Sequence, residues 1–185
     1  SDTLVYDMDA ESLALSGNAK VDQKGLGISG ERIEVSNADS ALRVPGEGRL
    51  QGAADPATGR EPLDINWTGG MVMRSQDRNA QFERDVSLKY GSRTLSADSL
   101  SAKVAEDGRI EGFDAAGNVR FVDALGESSP VFVITADRLK ANVTSDSRIE
   151  SLDATGHAEV IETTPDGQTQ SLQADRIHGV MGPDN

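Results

Sequence analysis

The sequence contains no cysteine, one tryptophan, two tyrosines, four phenylalanines and two histidines. The missing thiols exclude disulfides and thiolate metal sites and leave the compartment undecided. With aromatics at 4%, any core has to be built from small aliphatics. No apolar run approaches the roughly 18 residues of a membrane-spanning helix, and there is no basic-then-apolar leader. Ser1 is compatible with a piece cut from a longer protein. Positive charge is also scarce: 18 Lys and Arg against 31 Asp and Glu give a net charge of −13. Such a surface repels phosphates and offers them no counterion release, which argues against a nucleic-acid partner, while it favours solubility. The 185 residues suffice for one core-bearing domain, and 36% hydrophobic content is below the globular norm but outside the disordered range.

What the chain does have is repetition. ITADRL at 134–139 returns as LQADRI at 172–177, and LSADSL at 95–100 and ISGERI at 28–33 are further versions. Each places an aliphatic residue, a small residue, an acid (Glu31, Asp98, Asp137 or Asp175) and another aliphatic in fixed order. The last three acids are 39 and 38 residues apart, and 67 separate the first two. A second signature lies between these: RIEGFDAAGNVRF at 109–121 matches RIESLDATGHAEV at 148–160, with SLALSGNAKV at 12–21 as a third version. A looser fourth, AQFERDVSL at 80–88, carries Arg84 where the others carry Gly17, Gly117 and Gly156.

Periodicity identifies both signatures as strands. Apolar or small residues fall at Leu13, Leu15, Gly17, Ala19 and Val21, and again at Phe113, Ala115, Gly117, Val119 and Phe121. This is period two with polar residues between, the pattern of a strand with one buried face. Around the acid the apolar steps run two, three, two (Ile134, Ala136, Leu139, Ala141), which predicts a bulge or corner at each [Ala/Gly]-[Asp/Glu] pair. There the acid is expected to accept hydrogen bonds from backbone freed by the bend.

Turns are expected at 106–108, 126–130, 145–147 and 165–167, and no helix longer than a turn or two. The expectation is a single all-β domain over 1–185, with repeats at about 10–37, 77–104, 110–143 and 149–181. Residues 38–76 form an irregular or degenerate repeat with a long loop at 52–62.

Catalytic and metal readings are weak. His157 occupies a slot that elsewhere holds Asn18 and Asn118, so it and His178 read as repeat-position polar residues, and no Ser/His/Asp set is suggested. A column of Glu31, Asp98, Asp137 and Asp175 has ligand chemistry suited to calcium. Yet Arg32, Arg138 and Arg176 directly follow three of them, so corner hydrogen bonding with local charge balance is preferred, and no metal, cofactor or catalysis is expected. The glycines at 25, 27 and 30 spell GxGxxG, but a strand signature follows instead of a helix, so the string is read as a turn.

The alternating Gly-[Asn/His] and [Ala/Gly]-[Asp/Glu] strands over residues 10–37 and 77–181 resemble the OstA-like lipopolysaccharide-transport family of the Gram-negative envelope. That resemblance implies a repetitive antiparallel β-jellyroll, a half-open taco, whose apolar groove shields lipopolysaccharide acyl chains in the periplasm. It also implies ends that stack on neighbouring jellyrolls. The partners implied are lipopolysaccharide or a related acylated glycolipid, and other OstA-like jellyrolls by edge-strand addition, including self head-to-tail contact. Trp67 to Met71 and Arg84 depart from the family pattern.

The residues expected to face the groove are Val21, Ile28, Ile33, Val35, Val86, Leu88, Leu95, Leu100, Val104, Val119, Phe121, Ile134, Leu139, Val143, Val160, Leu172 and Ile177. The same residues equally permit a dry core in a structural β-solenoid that spaces or polymerises other domains. Of the two ends, the C-terminal run is expected to be the more adhesive, because Asp2, Asp7, Asp9 and Glu11 protect the N-terminal one.

Overall fold

The computed structural model describes residues 3–8, 11–23, 25–56, 61–105, 109–124, 126, 129–144 and 148–180. The turns expected at 106–108 and 145–147, together with Asp2, Asp9 and Met181, lie outside them. The described residues contain thirteen strands and no helix. In chain order these are β1 (Thr3–Asp7), β2 (Ser12–Gln23), β3 (Leu26–Ser36), β4 (Ala41–Pro45), β5 (Gly48–Gly52), β6 (Leu63–Trp67) and β7 (Gly70–Arg74). There follow β8 (Asn79–Tyr90), β9 (Arg93–Val104), β10 (Ile110–Ala124), β11 (Val131–Val143), β12 (Ile149–Thr163) and β13 (Thr169–Val180). Every pairing is antiparallel and sequential layers are neighbours, so short connections suffice throughout. The GxGxxG string behaves as read: Gly25 is a turn residue and Leu26 opens β3.

Each long strand bends once, and the bend defines two legs. On β11 the buried positions step from Ala136 to Leu139 across exposed Asp137 and Arg138, as the two-three-two spacing predicts. The surplus residue, however, lies on the other signature. Ala116 pairs with Arg138 and Val119 with Ala136, so Gly117 and Asn118 together face Asp137 alone. Both are left-handed, at φ 77° and 49°, and Gly17-Asn18 and Gly156-His157 repeat the geometry. The expectation of a bulge at the [Ala/Gly]-[Asp/Glu] pair is therefore corrected: the corner is there, and the strand of the Gly signature carries the bulge.

Residues 38–76 are two further layers in which the bend has become a break. β4 and β5 pair with the two halves of β3, and β6 and β7 pair with the two halves of β8. Pro45-Gly46-Glu47 and Thr68-Gly69 make the corners there, because proline cannot donate to a ladder and Gly46 takes φ +85°. The sheet thus divides after β3 and rejoins at β8.

Register stacks the inward side chains into columns. One column on the first leg runs Val21, Ile28, Leu50, Ile65, Leu88, Leu95, Phe121, Ile134, Val160 and Leu172 without a polar interruption. On the second leg Val44, Met71, Phe82, Leu100, Ala115, Leu139, Ala154 and Ile177 do the same. The legs meet through aromatic pairs, Trp67 with Phe82 at 5.1 Å and Phe113 with Phe121 at 6.1 Å between ring centroids.

Candidate functional site

The interior between the legs is closed over its middle layers, is half-open at β2, and opens further towards its last layers. In the first half the few large side chains are concentrated: Trp67, Met71, Phe82 and Tyr90 are all buried. Small residues opposite make room for them, and a Cβ on Gly48 would fall 2.5 Å from Trp67 Cζ2. From β10 onward Phe113, Phe132, Val143, Val160 and Ile177 are half-buried, and Leu172 on the last strand is 58% exposed. The trough therefore ends in an apolar opening at β12 and β13.

All but Val104 and Leu172 of the residues expected to face a groove lie in one hydrophobic cluster. Their accessibility divides them. Ile28, Ile33, Val86, Leu88, Leu95, Leu100, Val119, Phe121, Ile134 and Leu139 are buried against other side chains, while Val21, Val35, Val104, Val143, Val160 and Ile177 are half-buried. The sequence reading passed over Phe113 and Phe132 as groove residues. Their signal was present in phase, since Phe113 lies two residues before Ala115 and Phe132 two before Ile134. At the rim, inward-facing Asp123 meets Arg93 with Nε to Oδ2 at 3.2 Å, and its Oδ1 has no hydrogen-bond partner among the described residues.

The outer corner carries a repeated polar lock. Asn118 Nδ2 donates to Asp98 Oδ2 at 3.0 Å, and one repeat later His157 Nδ1 lies 3.0 Å from Asp137 Oδ2. The acid also lies over the glycine: a Cβ on Gly117 would be 2.2 Å from Asp98 Oδ2, and one on Gly156 would be 2.3 Å from Asp137 Oδ2. Asp98 and Asp137 thus bond to the Asn or His side chain of the next layer, and each of these two carboxylates demands a glycine beneath it.

The departure at Arg84 follows from the same rule. In β8 the left-handed pair is Arg84-Asp85, and the layer before it turns through Thr68-Gly69, which supplies no acid at the corner. Here Asp85 accepts from Thr68 Oγ1 at 2.9 Å, and a Cβ on Gly69 would lie 2.9 Å from that of Arg84. The small residue has moved to the facing strand.

The arginines after the acids do not balance those acids locally, which corrects the sequence reading. Arg138 donates twice to Asp114 of the preceding strand, at 2.7 and 2.6 Å, and Arg176 likewise grips Asp153, with Nε to Oδ1 at 3.0 Å. Where the preceding strand has Ala14 in place of that aspartate, Arg32 turns to Glu34 at 2.8 Å. Arg176 holds the Asp153 carboxyl below the usual range, and Asp137 raises His157 above that of an ordinary imidazole. The corner acids sit on alternate layers, about 9–10 Å apart at ordinary strand spacing, with Asn118 or His157 between. That separation is too wide for one cation to bridge two of them.

No family model and no curated protein sequence matches the chain. Its fold is similar to that of LptH, described as the LptA homologous periplasmic component of the conserved lipopolysaccharide transport device from Pseudomonas aeruginosa. The match has a TM-score of 0.56 at 8% identity, covering 67% of this chain and 92% of that one. At that identity the likeness is one of fold, an antiparallel β-jellyroll.

Proposed function

We propose that the chain is a non-catalytic periplasmic bridge module that receives acyl chains of lipopolysaccharide or a related glycolipid in the C-terminal part of its trough. The observation that carries this reading is the uninterrupted apolar column from Val21 to Leu172, which is closed in the middle and exposed where it reaches β13. An acyl chain laid along Phe113, Phe132, Val160, Leu172 and Ile177 would leave its head group in water. Each buried methylene contributes about 0.8 kcal/mol, so some ten of them outweigh repulsion from a net −13 protein that salt screens within about 10 Å. The fold shared with a periplasmic transport component supports the same reading. The outer edge of β13, unpaired among the described residues, suits strand addition by a neighbouring jellyroll.

A second reading is favoured by one specific observation, the close burial of the column from Ile28 to Ile134. On that reading the chain is a structural spacer with a dry core. Photo-crosslinking separates the two. A crosslinker at Leu172, Ile177 or Phe113 should label lipopolysaccharide in a Gram-negative host, whereas one at Arg120 or Lys140 on the outer face should not. Equal labelling at both sets, or none at either, contradicts the lipid reading and leaves the spacer.

A further inference from the structure

The later corners mate their polar groups, Asp98 with Asn118 and Asp137 with His157. The first corner leaves its groups unmated. Gly17 and Asn18 on β2 face Glu31 on β3, yet the two side chains do not bond. The next layer turns through Pro45-Gly46-Glu47, which offers Glu31 neither an asparagine nor a histidine. The side chains of Asn18, Lys20, Glu31 and Glu47 are exposed and have no hydrogen-bond or ionic partner among the described residues. All four line one cleft of about 490 Å³ at the broken corner.

The less exposed lining of that cleft includes a single row in register: Ala19 beside Gly30, Gly30 beside Gly48, and Gly48 beside Trp67. Three of these four residues carry a methyl group or no side chain. Val44 and the Trp67 ring take the missing places, each within 2.5 Å of where a Cβ on Gly30 or Gly48 would stand. The row is therefore a packed floor. Trp67 Nε1 is buried with no acceptor among the described residues, so this floor keeps one donor unused. The volume lies within the roughly 300–1,000 Å³ of small-molecule sites.

The charges on the rim select the chemistry of the occupant. Carboxylates at Glu31, Glu47 and Asp85 oppose an anion, while Lys20 and Arg49 oppose a cation. Arg49 is already held by Asp64 at 2.8 Å, and Asp85 by Thr68 at 2.9 Å. The groups left free are carboxylate acceptors, an ammonium donor and an amide that does both, and a hydroxyl answers each of them because it donates and accepts. We propose that the broken corner binds a neutral oligosaccharide through Asn18, Glu31 and Glu47, with Lys20 at its edge. This goes beyond the lipid reading and does not depend on it. From β6 the order runs β8, β9, β10, β11, β12, β13, six steps of about 4.8 Å, or roughly 29 Å. The cleft is thus placed for a glycan of its own, away from the head group of an acyl chain held at the C-terminal opening.

Trp67 is the only tryptophan in the chain, so its emission reports on the cleft directly. The full chain is screened on an array of non-acylated glycans, neutral and charged, with lipopolysaccharide in parallel. The strongest neutral binder is then titrated against Trp67 fluorescence. A neutral oligosaccharide should bind and shift the emission. Glu31→Ala and Glu47→Ala should each weaken binding about tenfold, the scale of one hydrogen bond to a charged group, and Glu150→Ala on β12 should leave it unchanged. Glu31 and Glu47 are exposed and unpaired among the described residues, so both variants should keep the strand signal in far-ultraviolet circular dichroism.

Binding confined to charged glycans, or no binding anywhere on the array, overturns the proposal. So does a neutral binder that leaves Trp67 emission in place, or one that Glu31→Ala and Glu47→Ala weaken no more than Glu150→Ala does. Binding to lipopolysaccharide alone overturns the separate ligand and joins the cleft to the lipid site. The array glycans carry no acyl chain, so their failure leaves acyl labelling at Leu172 untouched, and failed labelling at Leu172 leaves the cleft untouched.

Discussion

Trp67 fills the space that a side chain on Gly48 would need: a Cβ there falls 2.5 Å from Cζ2 and 2.9 Å from Cε2 of the indole. This one relationship fills the trough where β5 meets β6. Gly48→Ala should cost about 1–3 kcal/mol by overpacking, read by urea unfolding. In a Trp67→Leu background the same change should cost much less, and equal costs in the two backgrounds would show that Ser29 O, 2.8 Å from the same Cβ, is the real obstacle.

Gly156 is constrained twice, by φ +74° and by Asp137 Oδ2 at 2.3 Å from a Cβ. Gly156→Ala should destabilise by about 2 kcal/mol or more. Asp137→Ala in the same chain removes Oδ2 and Cγ but keeps a Cβ 2.8 Å from the new one, so it should return part of the steric share and leave at least the left-handed cost of about 1 kcal/mol. A double-mutant cycle by thermal unfolding checks it, and strict additivity would refute the coupling.

Ile134 and Leu172 stand in one column, at 3% and 58% exposure. Ile134→Asp should cost about 4 kcal/mol or more, because it buries an unpartnered carboxylate. Leu172→Asp in dilute monomer should change stability by no more than about 0.5 kcal/mol. Similar losses at the two sites would mean that the last layer is as closed as the middle.

Two titrations have opposite signs. Asp137 raises His157, so this contact supports the fold fully below the unfolded value of 6.5 and its support is lost as pH rises through the folded value. Arg176 lowers Asp153, so that contact is present above the unfolded value of 3.8 and is lost as pH falls through the folded one. NMR titration of the His157 ring should show its midpoint fall in Asp137→Asn, and the Asp153 carboxyl midpoint should rise in Arg176→Gln. A variant that leaves its partner's midpoint in place would contradict the corresponding pairing.

Much of the architecture was legible because period-two burial is a property of the local chain. Ile134, Ala136, Leu139 and Ala141 face inward as their spacing requires, and the corner at Asp137 is written in the three-residue step. The break at residues 38–76 was legible only as irregularity, since Pro45 and the glycines announce an interruption without saying that each half continues a leg.

Outside residues 38–76, the sequence by itself determined the long strands, their inward faces and the place of each bend, because alternation and the small residue before each acid act within a single strand. Tertiary structure alone decided which strand carries the bulge, that Arg138 reaches back to Asp114, and why Arg84 replaces glycine. Each of these is a relation between neighbouring layers, where a carboxylate, a glycine and a guanidinium share one space. Whether the trough is open or closed was decided at the same level, by Trp67 seated over Gly48 in one half and by the absence of a covering layer over Leu172 in the other, among the described residues.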